Sequence, residues 1–378
     1  MKKHFLLTAI VLCTSGLSGC TSGNNRTGER ELSLKEAFGD KFYIGAALNT
    51  GQIMERDVDA VRVIREHFSA IVPENCMKSM YLQPKEGEFS FDEADRFVEF
   101  GRKYGLFVTG HTLVWHSQAP DWFFTDGGGN DVSRDVLTER MKSHISTVVG
   151  RYRGVIRGWD VVNEAVLDDG SLRNSKFLQI IGPDYIRLAF EFAREADPDA
   201  ELYYNDYSMA VPAKRQGVVR LVKSLQEQGV RIDGIGMQGH LNMHFPPLEE
   251  FETSLLAFSE LGVSVMITEL DLSVLPSPRE NAGADVAQSF EYRKEINPYA
   301  GGLPEDVEAA WNSRYADFFN LFLKHRDRIT RVTLWGVGDA DSWKNNWPVP
   351  GRTDYALLFD RNYEAKPLVD ILTKNAQK

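Results

Sequence analysis

Two glutamates in this sequence each follow a short run of mostly apolar residues. Glu164 follows the segment GWDVVN (158–163), and Glu269 follows VMIT (265–268). Apolar runs of this length predict buried strands, and the carboxyl ends of the strands in a parallel barrel form the face where active sites are built. Either glutamate alone is equally compatible with an ordinary charge at a strand end. Together, the two carboxyl groups predict the acid–base and nucleophilic chemistry that cleaves a glycosidic bond.

Other polar and aromatic side chains occur at the same end of successive predicted strands. A single histidine or tryptophan in such a place is often a core residue, but the ends of barrel strands converge, so these residues are expected to share one cleft. Amides, carboxylates and imidazoles bind hydroxyl groups, while indole rings stack on flat apolar faces such as those of sugars. The residues in question are Glu74, Asn75, Lys78, His111, Trp115, Tyr204, Asn205, Gln238, His240, Trp335 and Trp343.

The elements that must position these residues alternate along the chain as short β-like runs and longer amphipathic segments. Eight strands and eight helices in alternation predict a single (β/α)8 barrel of the α/β class. The predicted strands cover residues 42–48, 70–73, 107–115, 156–162, 202–205, 235–238, 263–268 and 331–335. The predicted helices cover residues 57–67, 91–104, 134–149, 184–195, 213–228, 248–261, 307–325 and a segment after Pro367.

The domain organisation follows from the same pattern. Residues 33–378 are predicted to form one catalytic domain. Two connections, residues 117–133 and residues 272–304, are unusually long and follow strands, so both are expected on the catalytic face.

The N-terminus has the features of an export signal. Two lysines precede a short apolar run that is too short to span a bilayer, which predicts a signal peptide over residues 1–19. The sequence LSGC (17–20) resembles the lipobox of bacterial lipoproteins, which implies cleavage before Cys20 and lipidation of that residue. Simple secretion is the alternative. Residues 20–32, rich in Thr, Ser, Gly and Asn, are predicted to be a flexible tether.

Charge and composition exclude some classes of function. A formal net charge of −11 disfavours binding to nucleic acid, because neutralising phosphates requires a basic face. The spacing of His240 and His244 matches a zinc-binding pair on a helix, but the pair begins at a strand end and lacks the adjacent glutamate of that motif. No metal ion or cofactor is therefore expected.

Several motifs in order along the chain resemble glycoside hydrolase family 10. They are ENxMK (74–78), GHTLxWH (110–116), WDxVNE (159–164), GIGxQxH (234–240) and ITELD (267–271), completed by WG (335–336) and SW (342–343). The resemblance extends from about Leu34 to the C-terminus. It implies a (β/α)8 barrel and a retaining endo-β-1,4-xylanase.

The resemblance also implies a role for each matching residue. Glu164 would be the acid/base and Glu269 the nucleophile, with His240 and Asp271 orienting the latter and keeping it ionised. Asn163 would bond the sugar 2-hydroxyl beside the scissile bond. The side of the cleft that binds the glycone would be formed by Glu74, Asn75, Lys78, His111, Trp115, Gln238, Trp335 and Trp343, and the leaving-group side by Asn205 and Tyr204. The sequence departs from the family pattern at Ser79, Ser208 and Gly338, which leaves the preference of the sugar subsites open.

The expected protein is thus an exported lipoprotein, monomeric, and held on the outer membrane or cell surface rather than the cytoplasmic membrane. Its expected partners are xylan or xylo-oligosaccharides and, through the N-terminal lipid, a membrane. Two alternatives remain: a (β/α)8 glycanase that uses the same glutamates on another β-glycan, and a lipoprotein that only binds glycan. The presence of both Glu164 and Glu269 weighs against the second alternative, because a binding protein needs neither.

Overall fold

In the computed structural model, eight parallel strands close into a barrel, and residues 32–276 and 294–378 are described. The strands are β1 Tyr43–Leu48, β2 Ala70–Pro73, β3 Phe107–Trp115, β4 Gly158–Asn163, β5 Glu201–Asp206, β6 Gly234–Met237, β8 Ser264–Ser273 and β9 Ile329–Leu334. They pair in the order β6-β5-β4-β3-β2-β1-β9-β8, and pairing between β6 and β8 closes the ring. The predicted (β/α)8 barrel is confirmed.

The helices of the described residues alternate with these strands. Barrel strands are covered by side chains inside and by helices outside, which explains why a strand such as β4 is buried at every position. The helices are α1 Leu34–Phe38, α2 Thr50–Ile53, α3 Val58–His67, α4 Ser79–Leu82, α5 Asp92–Tyr104, α6 Arg134–Arg151, α7 Lys176–Ile181, α8 Tyr185–Ala196, α9 Pro212–Glu227, α10 Leu248–Ser259, α11 Glu305–Lys324 and α12 Pro367–Ala376.

One predicted strand is longer than expected. The sequence predicts that the strand before Glu269 ends at residue 268, whereas β8 continues to Ser273. The continuation pairs in parallel with a short strand, β7 (His240–Asn242), in which His240 is opposite Asp271. Glu269 therefore lies within a strand and not at its end, because β7 supplies hydrogen-bond partners beyond the barrel rim.

Some predicted segments fall outside the described residues. These are the signal peptide, nearly all of the tether, the lipidation site Cys20, and residues 277–293 of the long connection after β8. The described part of that connection runs from the end of β8 to residue 276 and from residue 294 to the start of α11. Within residues 32–276 and 294–378, no helix is both long and apolar enough to cross a lipid bilayer.

Candidate active site

A cleft of about 550 Å³ opens at the carboxyl ends of the barrel strands. Most of the residues predicted for the site line it: Glu74, Asn75, Lys78, His111, Trp115, Asn163, Glu164, Gln238, His240, Glu269, Trp335 and Trp343. They come from six barrel strands, the loops that follow them and the short strand at residues 240–242, which is how a barrel assembles one site from distant parts of a sequence.

Glu164 directly follows β4 and has a strained backbone. Its φ is 59°, in the left-handed region that residues with a side chain rarely adopt, and such strain is frequent at functional sites. Hydrogen bonds hold the conformation: the Glu164 amide donates to the Asn205 carbonyl at 2.9 Å, and Arg173 Nε donates to the Glu164 carbonyl at 2.8 Å. The carboxyl group accepts from Trp115 Nε1 at 2.9 Å and from Gln238 Nε2 at 3.1 Å. The turn thus points the carboxyl group into the cleft and fixes both oxygens.

Glu269 is the more buried of the two glutamates, with a side chain 7% exposed against 14% for Glu164. Asn205 Nδ2 donates to one carboxylate oxygen at 2.7 Å, and His240 Nε2 lies 3.2 Å from the other. Donors on both oxygens stabilise a carboxylate, and they also fix its direction.

His240 is a cation between two carboxylates. Its Nδ1 lies 3.0 Å from Asp271 Oδ2. Burial lowers the pKa of His240, but the Asp271 and Glu269 carboxylates outweigh burial and raise this pKa to about 9. Near neutral pH both ring nitrogens therefore donate hydrogen bonds, one to each carboxylate.

Asp271 is held by three donors. In addition to His240, Trp343 Nε1 donates to it at 2.9 Å and Lys344 Nζ at 2.7 Å. Burial raises the pKa of Asp271, but Lys344 and the His240 cation outweigh burial and hold this pKa well below its usual range. Asp271 is fully buried behind His240 and does not line the cleft.

Buried amides connect the surroundings of the two glutamates. Asn205 Nδ2 donates to Asn163 Oδ1 at 2.9 Å as well as to Glu269, and Thr268 Oγ1 donates to Asn205 Oδ1 at 2.6 Å. This arrangement requires a glycine at position 236, because a Cβ on Gly236 would approach Asn205 Oδ1 to 2.3 Å. Gln238 Nε2 donates both to Asn163 Oδ1, at 3.4 Å, and to Glu164, so one network contacts both glutamates.

One wall of the cleft is formed by residues of β3 and of the loop after β2, and its side chains are polar and partly buried. Lys78 Nζ donates to Asn75 Oδ1 at 2.9 Å and lies 5.0 Å from the centroid of the Trp115 ring. Burial lowers the pKa of Lys78 and raises the pKa of Glu74. His111 Nδ1 lies 2.9 Å from Asp160 Oδ2, so this histidine is oriented from beneath the cleft.

Asn205 and Tyr204, which were predicted for the leaving-group side of the cleft, do not contribute to its surface. Both side chains are fully buried and neither lines the cleft. Asn205 points into the barrel towards Glu269. The Tyr204 hydroxyl accepts from the amides of Ala165 and Val166, each at 3.1 Å, and so supports the turn that follows Glu164 from behind.

Tyr207, Lys344 and Trp347 are among the cleft residues that were not predicted as site residues. Tyr207 follows β5, and its hydroxyl accepts from Arg173 Nη2 at 2.7 Å. Lys344 contacts Asp271, and Trp347 forms part of the outer cleft wall. Tyr207 could have been predicted, because it belongs to the polar sequence YNDY (204–207) at the end of a predicted strand. Lys344 and Trp347 lie in a loop, and no periodicity in the sequence predicts the path of that loop.

A metal site at His240 and His244 is not supported by the geometry. Both ring nitrogens of His240 are engaged by carboxylates. Within the described residues, no group of three histidine, cysteine or acidic side chains is arranged to hold a metal ion.

Comparisons with known proteins agree with this geometry. Residues 33–375 match the family model Glycosyl hydrolase family 10. The chain is 50% identical over 346 residues to endo-1,4-beta-xylanase A of Xylanibacter ruminicola, covering 92% of this chain and 94% of that protein. It is 44% identical over 342 residues to an endo-1,4-beta-xylanase of Geobacillus stearothermophilus, covering 89% and 96%.

Solved structures give the same result. A GH10 endoxylanase retrieved from a sugarcane soil metagenome superposes with a TM-score of 0.86 at 46% identity, over 90% of this chain and 99% of that one. A xylanase from Paenibacillus barcinonensis, complexed with a conduramine derivative, gives a TM-score of 0.81 at 38% identity, over 91% and 98%. The family model, the relatives and the barrel with its paired glutamates agree, and the chain belongs to glycoside hydrolase family 10.

Proposed function

We propose that the protein is an endo-1,4-β-xylanase that retains anomeric configuration, with Glu269 as nucleophile and Glu164 as acid/base. The observation that carries this assignment is the difference in surroundings of the two carboxyl groups. Glu269 faces the His240 cation, whereas the hydrogen-bond donors to Glu164 among residues 32–276 and 294–378 are the neutral groups of Trp115 and Gln238. His116 Nδ1 lies farther away, at 3.9 Å, and burial lowers the pKa of this histidine. Hydrogen-bond donors stabilise either carboxylate, but a cation does so more strongly than a neutral donor. Glu269 is therefore the better suited of the two to be the ionised nucleophile, and Glu164 the better suited to carry the proton.

The reaction proceeds in two displacements. In the first, a Glu269 oxygen bonds to the anomeric carbon while the glycosidic bond breaks and Glu164 gives its proton to the departing oxygen. In the second, Glu164 takes a proton from water as the water oxygen attacks the anomeric carbon and the bond to Glu269 breaks. We assign to Asn163, whose Oδ1 accepts from Asn205 Nδ2 at 2.9 Å, the hydrogen bond to the sugar 2-hydroxyl in the transition state.

Activity of residues 33–378 on xylan, cellulose and mannan tests the proposal. Hydrolysis of xylan well above the other two polymers is the expected result. Preference for cellulose or mannan would mean that the substrate is another β-glycan, and the roles proposed for the two glutamates would stand. Binding to a glycan without hydrolysis of any of the three would make the protein a binding lipoprotein and contradict the proposal.

We also propose that the mature enzyme is anchored to a membrane through lipid on Cys20, on the outer membrane or cell surface. The support is the sequence alone: a basic start, an apolar run and the lipobox-like LSGC at residues 17–20. Several acyl chains on one cysteine hold a protein on a bilayer where a single chain does not.

A further inference from the structure

Trp347 is a large apolar side chain that is 48% exposed although it lines the active-site cleft. Its ring centroid lies 5.6 Å from that of Trp343, at an angle of 38° between the planes. Trp343 is itself 40% exposed. Two neighbouring exposed indoles form an apolar surface of the kind that marks a binding site.

The backbone that carries Trp347 is fixed from both sides by Arg352. Arg352 Nη1 donates to the Trp347 carbonyl at 3.0 Å, and the amide of Asn346 donates to the Arg352 carbonyl at 2.9 Å. The same guanidinium donates to the carbonyls of Ile296 at 2.9 Å and Pro276 at 2.6 Å. Because Arg352 is 3% exposed, these bonds are shielded from water, and the exposed ring is attached to a well-held loop.

Contacts place Trp347 on the nucleophile's side of the cleft. Trp347 packs against Trp343, and Trp343 Nε1 donates to Asp271. Asp271 is hydrogen-bonded to His240, which lies next to Glu269. The opposite side is marked by Tyr207, which is connected through Arg173 to the backbone of Glu164. In a retaining glycosidase the nucleophile bonds the sugar whose anomeric carbon reacts, so the sugars before the scissile bond extend along this side.

We infer that Trp347 is a stacking platform for a xylose residue of the glycone beyond the sugars held at Trp343. This inference rests on the proposed xylanase function. The platform is continuous with the cleft, and an indole face matches the flat apolar face of an unsubstituted xylose ring. Trp347 thereby makes the enzyme favour long glycones over short ones.

Aryl β-glycosides of xylobiose, xylotriose and xylotetraose test this inference, with release of the phenol as the readout. The leaving group is the same in all three, so only the glycone side changes. In the unaltered enzyme, kcat/KM should rise with glycone length. In Trp347→Ala, the ratio of kcat/KM for the longest over the shortest substrate should fall roughly five- to tenfold, the effect of losing one aromatic contact. Each ratio comes from one preparation and does not depend on the fraction of folded enzyme.

Two further variants serve as controls. Trp347→Phe keeps an aromatic face and should retain most of the ratio. Tyr43→Ala removes another ring, 45% exposed at the amino end of β1, and should leave the ratio as in the unaltered enzyme. If Trp347→Ala leaves the ratio of kcat/KM for the longest over the shortest substrate unchanged, Trp347 does not bind the glycone, and the proposed xylanase function is unaffected. Absence of phenol release by the unaltered enzyme from all three substrates would overturn both.

Discussion

At the scale of single residues, the positive charge of His240 lies next to Glu269, with Nε2 3.2 Å from a carboxylate oxygen. The raised pKa of His240, about 9, means that the imidazolium is present across the neutral range and is lost as the pH rises through that value. Removing the imidazolium takes away the cation next to the proposed nucleophile. We expect the acidic limb of the kcat/KM profile of His240→Asn to move up by about one pH unit.

The measurement is the pH dependence of kcat/KM on an aryl xylobioside. His325→Asn provides a control, because His325 also pairs with a glutamate but lies on the other end of the barrel after α11. An acidic limb that stays in place in His240→Asn would show that the imidazolium does not determine the ionisation of the nucleophile.

The sequence predicts much of the site at this scale. Glu74, Trp115, Gln238 and Trp335 line the cleft as expected, because each follows or ends a strand whose direction the apolar run reveals. Tyr204 was also predicted for the cleft but is buried, because its hydroxyl accepts from the amides of Ala165 and Val166. A position near a strand end does not by itself predict that contact.

At the scale of elements, a buried ion pair joins the start of α9 to the end of β5. Lys214 Nζ lies 2.9 Å from Asp206 Oδ1, and both side chains are fully buried. Lys214 also lies 3.6 Å from the centroid of the Tyr207 ring. Burial raises the pKa of Asp206 to about 6, with Lys214 opposing the shift. The pair thus supports the loop on which Tyr207 enters the cleft.

Removing one partner of such a pair leaves the other charge buried. We expect Lys214→Met to lower the free energy of unfolding by about 3–5 kcal/mol. Lys176→Met is the matched control, because Lys176 pairs with Asp131 at 2.8 Å in solvent, where an ion pair contributes roughly 0–1 kcal/mol. Denaturant unfolding of both variants makes the comparison. Equal losses would mean that burial does not distinguish the two pairs.

The order of elements was predictable and their ends were not. The alternation of apolar runs and amphipathic segments identifies all eight barrel strands, because each strand is buried on both faces. The extension of β8 to Ser273 depends on pairing with β7, a contact between segments about thirty residues apart that no local pattern encodes. The same holds for the loop that carries Trp343 and Trp347, which Arg352 fixes through backbone carbonyls.

At the scale of the whole molecule, the anchoring proposal has a simple test. Cys20→Ser removes the thiol that would carry lipid, so this variant should leave the membrane fraction and remain active on xylan. Cys13→Ser changes a cysteine inside the predicted signal peptide and should fractionate with membranes. Retention of Cys20→Ser in the membrane fraction would show that another part of the chain is the anchor.

The division of work between Glu164 and Glu269 is the central claim, and azide rescue tests it most directly. With an aryl xylobioside, Glu164→Ala should still form the glycosyl-enzyme, because a good leaving group needs no proton. Azide entering the space left by Glu164 should then release a β-glycosyl azide. Glu269→Gly should be nearly inactive, and azide attacking from the opposite face should give the α-azide. An α-azide from Glu164→Ala, or a β-azide from Glu269→Gly, would contradict the assignment.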